Sequence, residues 1–151
     1  MKYTSQIIIK VPLEQFITIL ENHDNFKHWQ RGLESFEHLS GDIGVVGSKI
    51  KLNYSLGNRK MELVETITET NLPHLLHLHY DTKGVHNIQQ NYFESTAQGH
   101  TKWIIKNEFL ATNFFMRSMM LLSPSIFKKQ TIKYLNDFKN FAEKGISVKD
   151  A

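Results

Sequence analysis

The sequence predicts an α+β fold in which a curved antiparallel sheet of about seven strands wraps around a long C-terminal helix. Three observations support this class. Six strand-like segments follow one another between residues 33 and 110 with only short turns between them, which makes them antiparallel neighbours. One strand and two short helices precede them, and a long amphipathic helix follows them. A sheet with one wet face must bury its other face, and that helix is the expected partner.

The length and composition predict one domain at residues 1–145, followed by a C-terminal tail at 146–151. The chain has 151 residues, no cysteine and a formal net charge of +3. The lack of cysteine excludes thiol nucleophiles, iron–sulfur clusters and cysteine zinc sites, and it fits a reducing compartment. The N-terminus has no long apolar stretch or cleavage signal, so we expect a cytoplasmic protein. The scattered basic residues fall short of the excess that polyanion binding needs.

The first elements are read from periodicity and from helix signals. Residues 2–11 are rich in β-branched and aromatic residues and predict a strand. Pro12 then begins a short amphipathic helix over 13–22. Its apolar stripe has offsets of three, four and seven: Leu13, Phe16, Ile17 and Leu20. Asp24 is expected to cap a second short helix that ends at Gly32.

The middle of the chain has the period of two that is typical of strands. The clearest alternation, in 48–56, places four apolar residues on one face: Ile50, Leu52, Tyr54 and Leu56. The glycine-rich segment 41–47 and the segment 57–60 are predicted turns. The six predicted strands are 33–40, 48–56, 61–70, 75–82, 86–96 and 101–110.

The last third of the chain is predicted to be helical. A helix over 114–122 stops at Ser123–Pro124, where a proline disfavours helical geometry in the residue before it. A longer helix over 127–145 ends at Gly145. Its apolar stripe consists of Phe127, Thr131, Tyr134, Leu135, Phe138, Phe141 and Ala142.

Three segments give the chain a resemblance to the START-like, or SRPBCC, superfamily of helix-grip proteins. They are "IKVPLEQFITILENHDNFKHWQRG" (9–32), "LSGDIGVVGSKIKL" (39–52) and the final strand and helices over 101–144. The similarity spans nearly the whole chain. The resemblance implies the helix-grip fold, with a hydrophobic cavity between the concave face of the sheet and the C-terminal helix. It implies no particular activity, because members of this group carry lipids, bind hormones, cyclise polyketides or bind partner proteins.

The stretch "HLLHLHYD" (74–81) raises the question of a metal site. Strand alternation places Leu76, Leu78 and Tyr80 on the cavity face and His77 and His79 on the outer, convex face. Two histidines about 6–7 Å apart could share one metal ion, but a real site needs a third or fourth ligand. We therefore predict a solvated histidine face and no metal.

Three further segments have competing interpretations. "GDIGVVG" lacks the lysine and following helix of a phosphate-binding loop, so a hairpin turn is favoured. The apolar residues of "SKIKLNY" point inward, which argues against stacking on nucleic acid. "FFMRSMML" (114–121) could lie on a membrane surface, but covering the cavity is favoured. We expect no nucleic-acid partner and no stable membrane insertion.

The candidate ligand-binding residues are aromatic or polar side chains expected at the cavity. Tyrosines are favoured because a buried hydroxyl needs a partner, which a ligand can provide. Glu65 lies between Leu63 and Ile67, where burial would raise its pKa and suit it to act as an acid or base. The faces of strand 86–96 are undecided, because Tyr92 argues for one and Phe93 for the other. The full set is Trp29, Tyr54, Glu65, Tyr80, Tyr92, Trp103, Arg117, Phe127, Tyr134 and Phe138.

Three functions follow as hypotheses. The first is binding of a small hydrophobic ligand, such as a lipid, fatty acid or aromatic metabolite, by a monomer or homodimer without metal or cofactor. The second is an enzyme that resembles polyketide cyclases or dehydratases and uses a cavity carboxylate or tyrosine. The third is a partner-binding or stress-related protein whose own side chains fill the cavity. The first is favoured over catalysis.

Overall fold

The computed structural model describes residues 1–150 and confirms the predicted fold class. The strands are β1 (Lys2–Ile9), β2 (Leu33–Ser40), β3 (Lys49–Leu56), β4 (Arg59–Asn71), β5 (Leu75–Thr82), β6 (Val85–Ser95) and β7 (Thr101–Ala111). The helices are α1 (Leu13–Glu21), α2 (Phe26–Trp29), α3 (Phe114–Leu122) and α4 (Ser125–Lys144). Short 3₁₀ turns cover His23–Asn25 and Val148–Asp150.

All seven strands form one antiparallel sheet in the order β1-β7-β6-β5-β4-β3-β2. Strands β2 to β7 follow one another in space as they do along the chain. Strand β1 alone is displaced and pairs with the last strand, since α1 and α2 carry the chain from one edge of the sheet to the other. The edge strands are therefore β1 and β2.

The concave face of the sheet is identified by its contacts with α4. The hydroxyl of Tyr3 in β1 donates to the carbonyl of Phe127 in α4 over 2.9 Å. Strand alternation then assigns Ile7 and Ile9 to the same face, and the register places Ile7 beside Trp103. Continuing across the sheet, Trp103 is paired with Phe93 of β6. The face that carries these side chains looks toward α4.

A tightly packed aromatic core fills the end of the molecule beneath α1 and α2. Phe16 of α1 lies at its centre, with ring centroids 5.2 Å from Phe93, 5.5 Å from Trp103 and 5.2 Å from Phe138. Trp29 of α2 packs edge-on against Phe138 at 5.0 Å. These rings are almost completely buried. Because α1, α2, α4 and two strands all contribute, this cluster fixes the helices on the sheet.

Helix α4 contacts the sheet along one side, at β1, and is farther from the central strands. Its backbone approaches β1 and α2 most closely. Lys139 Nζ donates to the carbonyl of Ile8 over 2.7 Å. At α2, the guanidinium of Arg31 donates twice to Asp137, from Nε over 2.7 Å and from Nη2 over 3.1 Å. The concave surfaces of the central strands are therefore not covered directly by the helix backbone.

The local details differ from the sequence prediction in a few places. The 3₁₀ turn is capped by Asn22, whose side chain accepts from the backbone N–H of Asp24 over 3.0 Å. Asp24 was expected to be the cap, but Asn22 stands two residues ahead of that N–H, where an Asx turn forms. The β3–β4 turn is only Gly57–Asn58, with Gly57 at φ 65°. Ser147, in the segment predicted to be a C-terminal tail, is buried and joined to His28 Nδ1 by a 3.0 Å hydrogen bond.

Candidate functional site

Four of the predicted site residues lie together on the concave face. Glu65 of β4 is directly opposite Tyr80 of β5, and Tyr54 of β3 and Tyr134 of α4 complete the group. Tyr134 reaches it because it lies one helical turn before Phe138, on the buried stripe of α4. All four keep some solvent-accessible surface, although they face the helix rather than the outside. They therefore line a space between sheet and helix. We call these residues the carboxyl–tyrosine cluster.

Burial dominates the electrostatics of this cluster. It raises the pKa of Glu65 to about 7, and the neighbouring Tyr80 hydroxyl opposes that rise. Burial, together with the nearby Glu65 charge, raises the pKa of Tyr80 and of Tyr134 well above the ordinary tyrosine value. Both tyrosines are consequently neutral hydroxyl donors. Glu65 is populated in both its acid and its carboxylate form near pH 7, which is what proton transfer at neutral pH requires.

Tyr54 connects the cluster to α2. Its hydroxyl donates a short hydrogen bond to Oε1 of Gln30, which is buried at the end of that helix. Burial, with a smaller contribution from Glu65, raises the pKa of Tyr54 above its ordinary value. The bond orients the phenol along the wall of the space and explains why a polar residue is tolerated at position 30.

A second polar group lies on the concave faces of β6 and β7, and sequence reasoning missed it. The register places Asn87, Gln89 and Asn91 on the same face as Phe93, and pairs Gln89 with Asn107. Three of these amides are buried. Polar residues occupy both faces of β6, so periodicity could not orient the strand. The signal that could have done so is the Trp103–Ile105 alternation in β7, because a core face must continue from one strand to the next.

The other predicted site residues lie elsewhere. Trp29, Trp103 and Phe138 belong to the packed aromatic core. Phe127 packs against Phe109, with centroids 5.0 Å apart, where α4 begins.

Two predicted site residues point away from the cavity. Tyr92 lies on the convex face, where its ring meets His77 at 5.0 Å and Lys106 Nζ lies 5.4 Å from its centroid. Arg117 is exposed on α3. The assignment of Tyr92 to the cavity is therefore wrong, because Phe93 rather than Tyr92 faces inward.

The histidines of β5 lie on the convex face, as the alternation predicts. His77 is nevertheless buried rather than solvated, because the Tyr92 ring covers it. His79 lies 4.9 Å from the ring of His86, and His86 Nδ1 is 2.6 Å from a carboxylate oxygen of Asp81. Among residues 1–150, no three potential metal ligands are arranged to hold an ion.

Helix α3 contacts β7 and begins beside the Lys83–Gly84 hairpin turn, where the N–H of Thr112 donates to the carbonyl of Gly84 over 2.9 Å. The methionines of α3, which were expected to cover the cavity together with its phenylalanines, are half-buried. Phe114 and Leu122 instead point outward and are 82% and 84% exposed. Helix α3 packs on β7, and only one of its faces is partly buried. No helix within residues 1–150 is long and apolar enough to cross a membrane.

Two open hollows occur on the outer surface, and neither contains the carboxyl–tyrosine cluster. One, of about 260 Å³, lies between α2 and β2 and is bordered by His23, Lys27 and Phe36. The other, of about 500 Å³, lies across β1, β7 and β6 and is bordered by Thr4, Gln90 and Lys106. Neither hollow brings together side chains that suggest a particular ligand or reaction. The concave face remains the candidate site.

Comparison with solved structures supports the fold. The Zhui aromatase/cyclase from Streptomyces sp. R1128 superposes with a TM-score of 0.77 at 10% identity, covering 95% of this chain and 94% of its own. The ginseng major latex-like protein 151 from Panax ginseng gives 0.71 at 14% identity, with 94% and 97% covered. The AHSA1-like protein from Aeromonas hydrophila gives 0.71 at 18% identity, with 96% and 94% covered.

No protein-family model matches the chain, and no curated protein matches it either. The structural similarities establish the helix-grip fold that the sequence resemblance implied. At these identities they do not establish an activity.

Proposed function

We propose that the protein binds a small hydrophobic molecule, such as a lipid, fatty acid or aromatic metabolite, between the concave face and α4. The observation that carries the proposal is the carboxyl–tyrosine cluster, whose side chains lie between the sheet and α4 and are only partly buried. The neighbouring side chains Leu63, Ile67 and Leu76 are apolar and only partly buried. Apolar walls with a few fixed polar groups are typical of small-molecule sites.

The physical basis of binding is burial of apolar ligand surface, with orientation supplied by the tyrosine hydroxyls. Burial contributes roughly 25 cal/mol per Å² of apolar surface, and each hydrogen bond adds about 0.5–1.5 kcal/mol. As part of the same proposal, the protein works in the cytoplasm as a monomer or homodimer. It uses no nucleic acid, metal or cofactor.

The first test is mass spectrometry of an organic extract of the purified protein, with an unrelated protein as control. A hydrophobic compound enriched at stoichiometric amounts would support the proposal. The variant Tyr80→Phe should then bind that compound about tenfold more weakly. Tyr92→Phe on the convex face is the matched control. An empty extract, and no binding from a lipid and metabolite mixture, would favour a partner-binding protein with a filled interior.

A second candidate function is proton transfer at carbon, and the raised pKa of Glu65 favours it. The Glu65 carboxylate would take a proton from the carbon next to a carbonyl and later return it. The Tyr80 hydroxyl would meanwhile donate a hydrogen bond to the enolate oxygen. This is the elementary step of cyclase and dehydratase chemistry on carbonyl substrates.

Deuterium exchange tests this step directly. The probe is the methyl ketone 2-acetylnaphthalene in D₂O, and the methyl signal is followed by NMR. Catalysed exchange that Glu65→Gln abolishes and that the convex-face variant Glu62→Gln retains would establish catalysis. Exchange no faster than in buffer, with the ketone bound, would leave the protein a binder.

A further inference from the structure

The amides of β6 and β7 form a hydrogen-bond relay with one direction. Trp103 Nε1 donates to Asn91 Oδ1 over 2.9 Å, and Asn91 Nδ2 donates to Gln89 Oε1 over 3.0 Å. Gln89 Nε2 then points to Asn107 Oδ1 at 3.5 Å. Asn87 Nδ2 donates to the same oxygen over 3.1 Å. The chain from Trp103 and the bond from Asn87 therefore both end on the side-chain oxygen of Asn107.

This direction fixes the orientation of the Asn107 amide and leaves its NH₂ group unused. Asn107 is 4% exposed, and its Nδ2 has no hydrogen-bond partner within residues 1–150. The hydroxyl of Ser5 on β1, whose residue is 9% exposed, is also without a partner. Tyr3 pairs with Asn107 and Ser5 pairs with Ile105, so Ser5 and Asn107 are diagonal neighbours on the same face. Two buried polar groups without partners are unusual, because buried donors are normally satisfied.

The charge of the concave face restricts what could satisfy them. From β1 through β7, β6 and β5, the inward rows contain only apolar, aromatic, hydroxyl and amide side chains. On β4 the inward row adds Glu65, and its sole basic residue is Arg59, exposed beside the hairpin turn. An anionic ligand head would therefore find no buried cation, and it would be repelled by ionised Glu65. Burying an unpaired anion is costly.

We propose that the ligand is uncharged and carries a carbonyl oxygen, which accepts hydrogen bonds from Asn107 Nδ2 and Ser5 Oγ. This inference rests on the proposed function and narrows it, because it excludes fatty acids and other carboxylates. A carbonyl oxygen has two lone pairs and no hydrogen, so it matches the unused amide donor. The chemical class is a neutral ketone, quinone, ester or lactone with an apolar body.

Three probes of nearly equal shape test the proposal: 2-acetylnaphthalene, 2-ethylnaphthalene and 2-naphthoate. They present a ketone, a hydrocarbon and a carboxylate on the same apolar ring system. Affinities are measured by equilibrium dialysis at pH 8. We expect the ketone to bind about tenfold more tightly than the hydrocarbon and the carboxylate to bind most weakly. The infrared carbonyl stretch of the bound ketone should move to lower frequency, as hydrogen bonding requires.

Two variants connect that preference to the named donors. Ser5→Ala removes a hydroxyl that bonds nothing in the protein, so it should fold normally and weaken only the ketone, by about threefold to tenfold. Asn107→Leu should remove the infrared shift as well. The convex-face variants Thr4→Ala and Gln90→Leu are the matched controls and should leave all three affinities unchanged.

The outcomes separate this inference from the proposed function. Equal binding of ketone and hydrocarbon, or tightest binding of the carboxylate, would overturn the carbonyl assignment and leave hydrophobic binding standing. A ketone preference that survives both Ser5→Ala and Asn107→Leu would also overturn it. Failure of all three probes to bind would overturn the proposed function together with the inference.

Discussion

Glu65 is the one carboxylate on the inward rows of β1 and β3 to β7. The remaining carboxylates of these strands lie on the convex face, where they meet lysines, histidines or water: Glu62, Glu69, Asp81, Glu94 and Glu108. Because burial is the main cause of its raised pKa, Glu65 destabilises the folded protein whenever it is ionised. A buried carboxylate with this destabilising effect is a strong candidate for function.

Glu65 should make the stability of the protein depend on pH in a defined direction. Its pKa in the folded state is about 7, against 4.5 as the ordinary value. The folded protein therefore binds more protons than the unfolded chain between these values, and its stability falls as pH rises from 4.5 to 7. The loss is about 3 kcal/mol. In Glu65→Gln this part of the decline should be absent.

Urea unfolding of both proteins at pH 5 and pH 8 measures this difference. Glu62→Gln, on the exposed face of the same strand, is the control and should follow the native protein. An equal decline in Glu65→Gln and the native protein would mean that Glu65 is solvated.

The bond between Tyr54 and Gln30 makes a second prediction at the residue scale. Tyr54→Phe removes the donor and leaves the buried Gln30 oxygen without a partner, which costs about 1–3 kcal/mol of unfolding free energy. The double variant Tyr54→Phe with Gln30→Leu should recover part of the loss, because both polar atoms are gone. Thermal unfolding of the single and double variants measures it, and strictly additive losses would contradict the pairing.

The sequence predicted part of the site at the level of single residues. Tyr54, Glu65, Tyr80 and Tyr134 could be placed because each lies on a row with clear apolar neighbours. The amides and Tyr92 could not, since β6 carries polar residues on both faces. Its orientation follows from the partner strand, through the pairing of Phe93 with Trp103.

At the scale of elements, α4 is held to the α2–β2 connection by the paired hydrogen bonds between Arg31 and Asp137. Asp137 is buried, while the Arg31 side chain is 42% exposed. Water partly screens the charge of the arginine, so the paired geometry is the main contribution. The link lies next to Phe138 and thus fixes the helix over the aromatic core.

Weakening this link should loosen α4. Asp137→Asn keeps the shape but removes the charge and one acceptor, and we expect a loss of about 1–3 kcal/mol in unfolding free energy. Chemical denaturation with hydrogen exchange of α4 amides measures it. Glu34→Gln breaks the exposed pair with Lys60 and should change stability by less than about 1 kcal/mol. Equal effects of the two variants would refute the anchoring role.

Element boundaries were predictable to within a few residues. The surroundings of individual side chains were less predictable. Helix α4 begins at Ser125, directly after Pro124, because proline is tolerated at a helix start. The sequence analysis predicted that this helix begins at residue 127. His77 shows the limit more clearly: alternation gave its face, but only the neighbouring strand shows that Tyr92 covers it.

At the scale of the whole molecule, Phe16 connects all the layers, since its ring touches β6, β7 and α4. Phe16→Ala should cost about 3–5 kcal/mol of unfolding free energy. Phe114→Ala on the exposed surface of α3 is the matched control and should cost less than about 0.5 kcal/mol. Equilibrium unfolding measures both, and a small effect of Phe16→Ala would show that the core can collapse around the gap.

The global architecture followed from the order of periodic segments and the short turns between them. Those features leave few topologies for one sheet and one long helix. The separation between α4 and the central strands could not be derived in the same way. It depends on how closely the helix approaches β1, which the Tyr3, Lys139 and Arg31 contacts decide.

A single carboxyl with a pKa of about 7, set in an otherwise uncharged space, makes ligand occupancy and proton occupancy depend on each other. A neutral molecule that displaces water from Glu65 raises the pKa of that group further, so the complex takes up part of a proton from the buffer. The heat of binding should then differ between phosphate and Tris by an amount that follows their ionisation enthalpies. Affinity should fall as pH rises above 7, because binding of a neutral ligand and ionisation of Glu65 oppose each other.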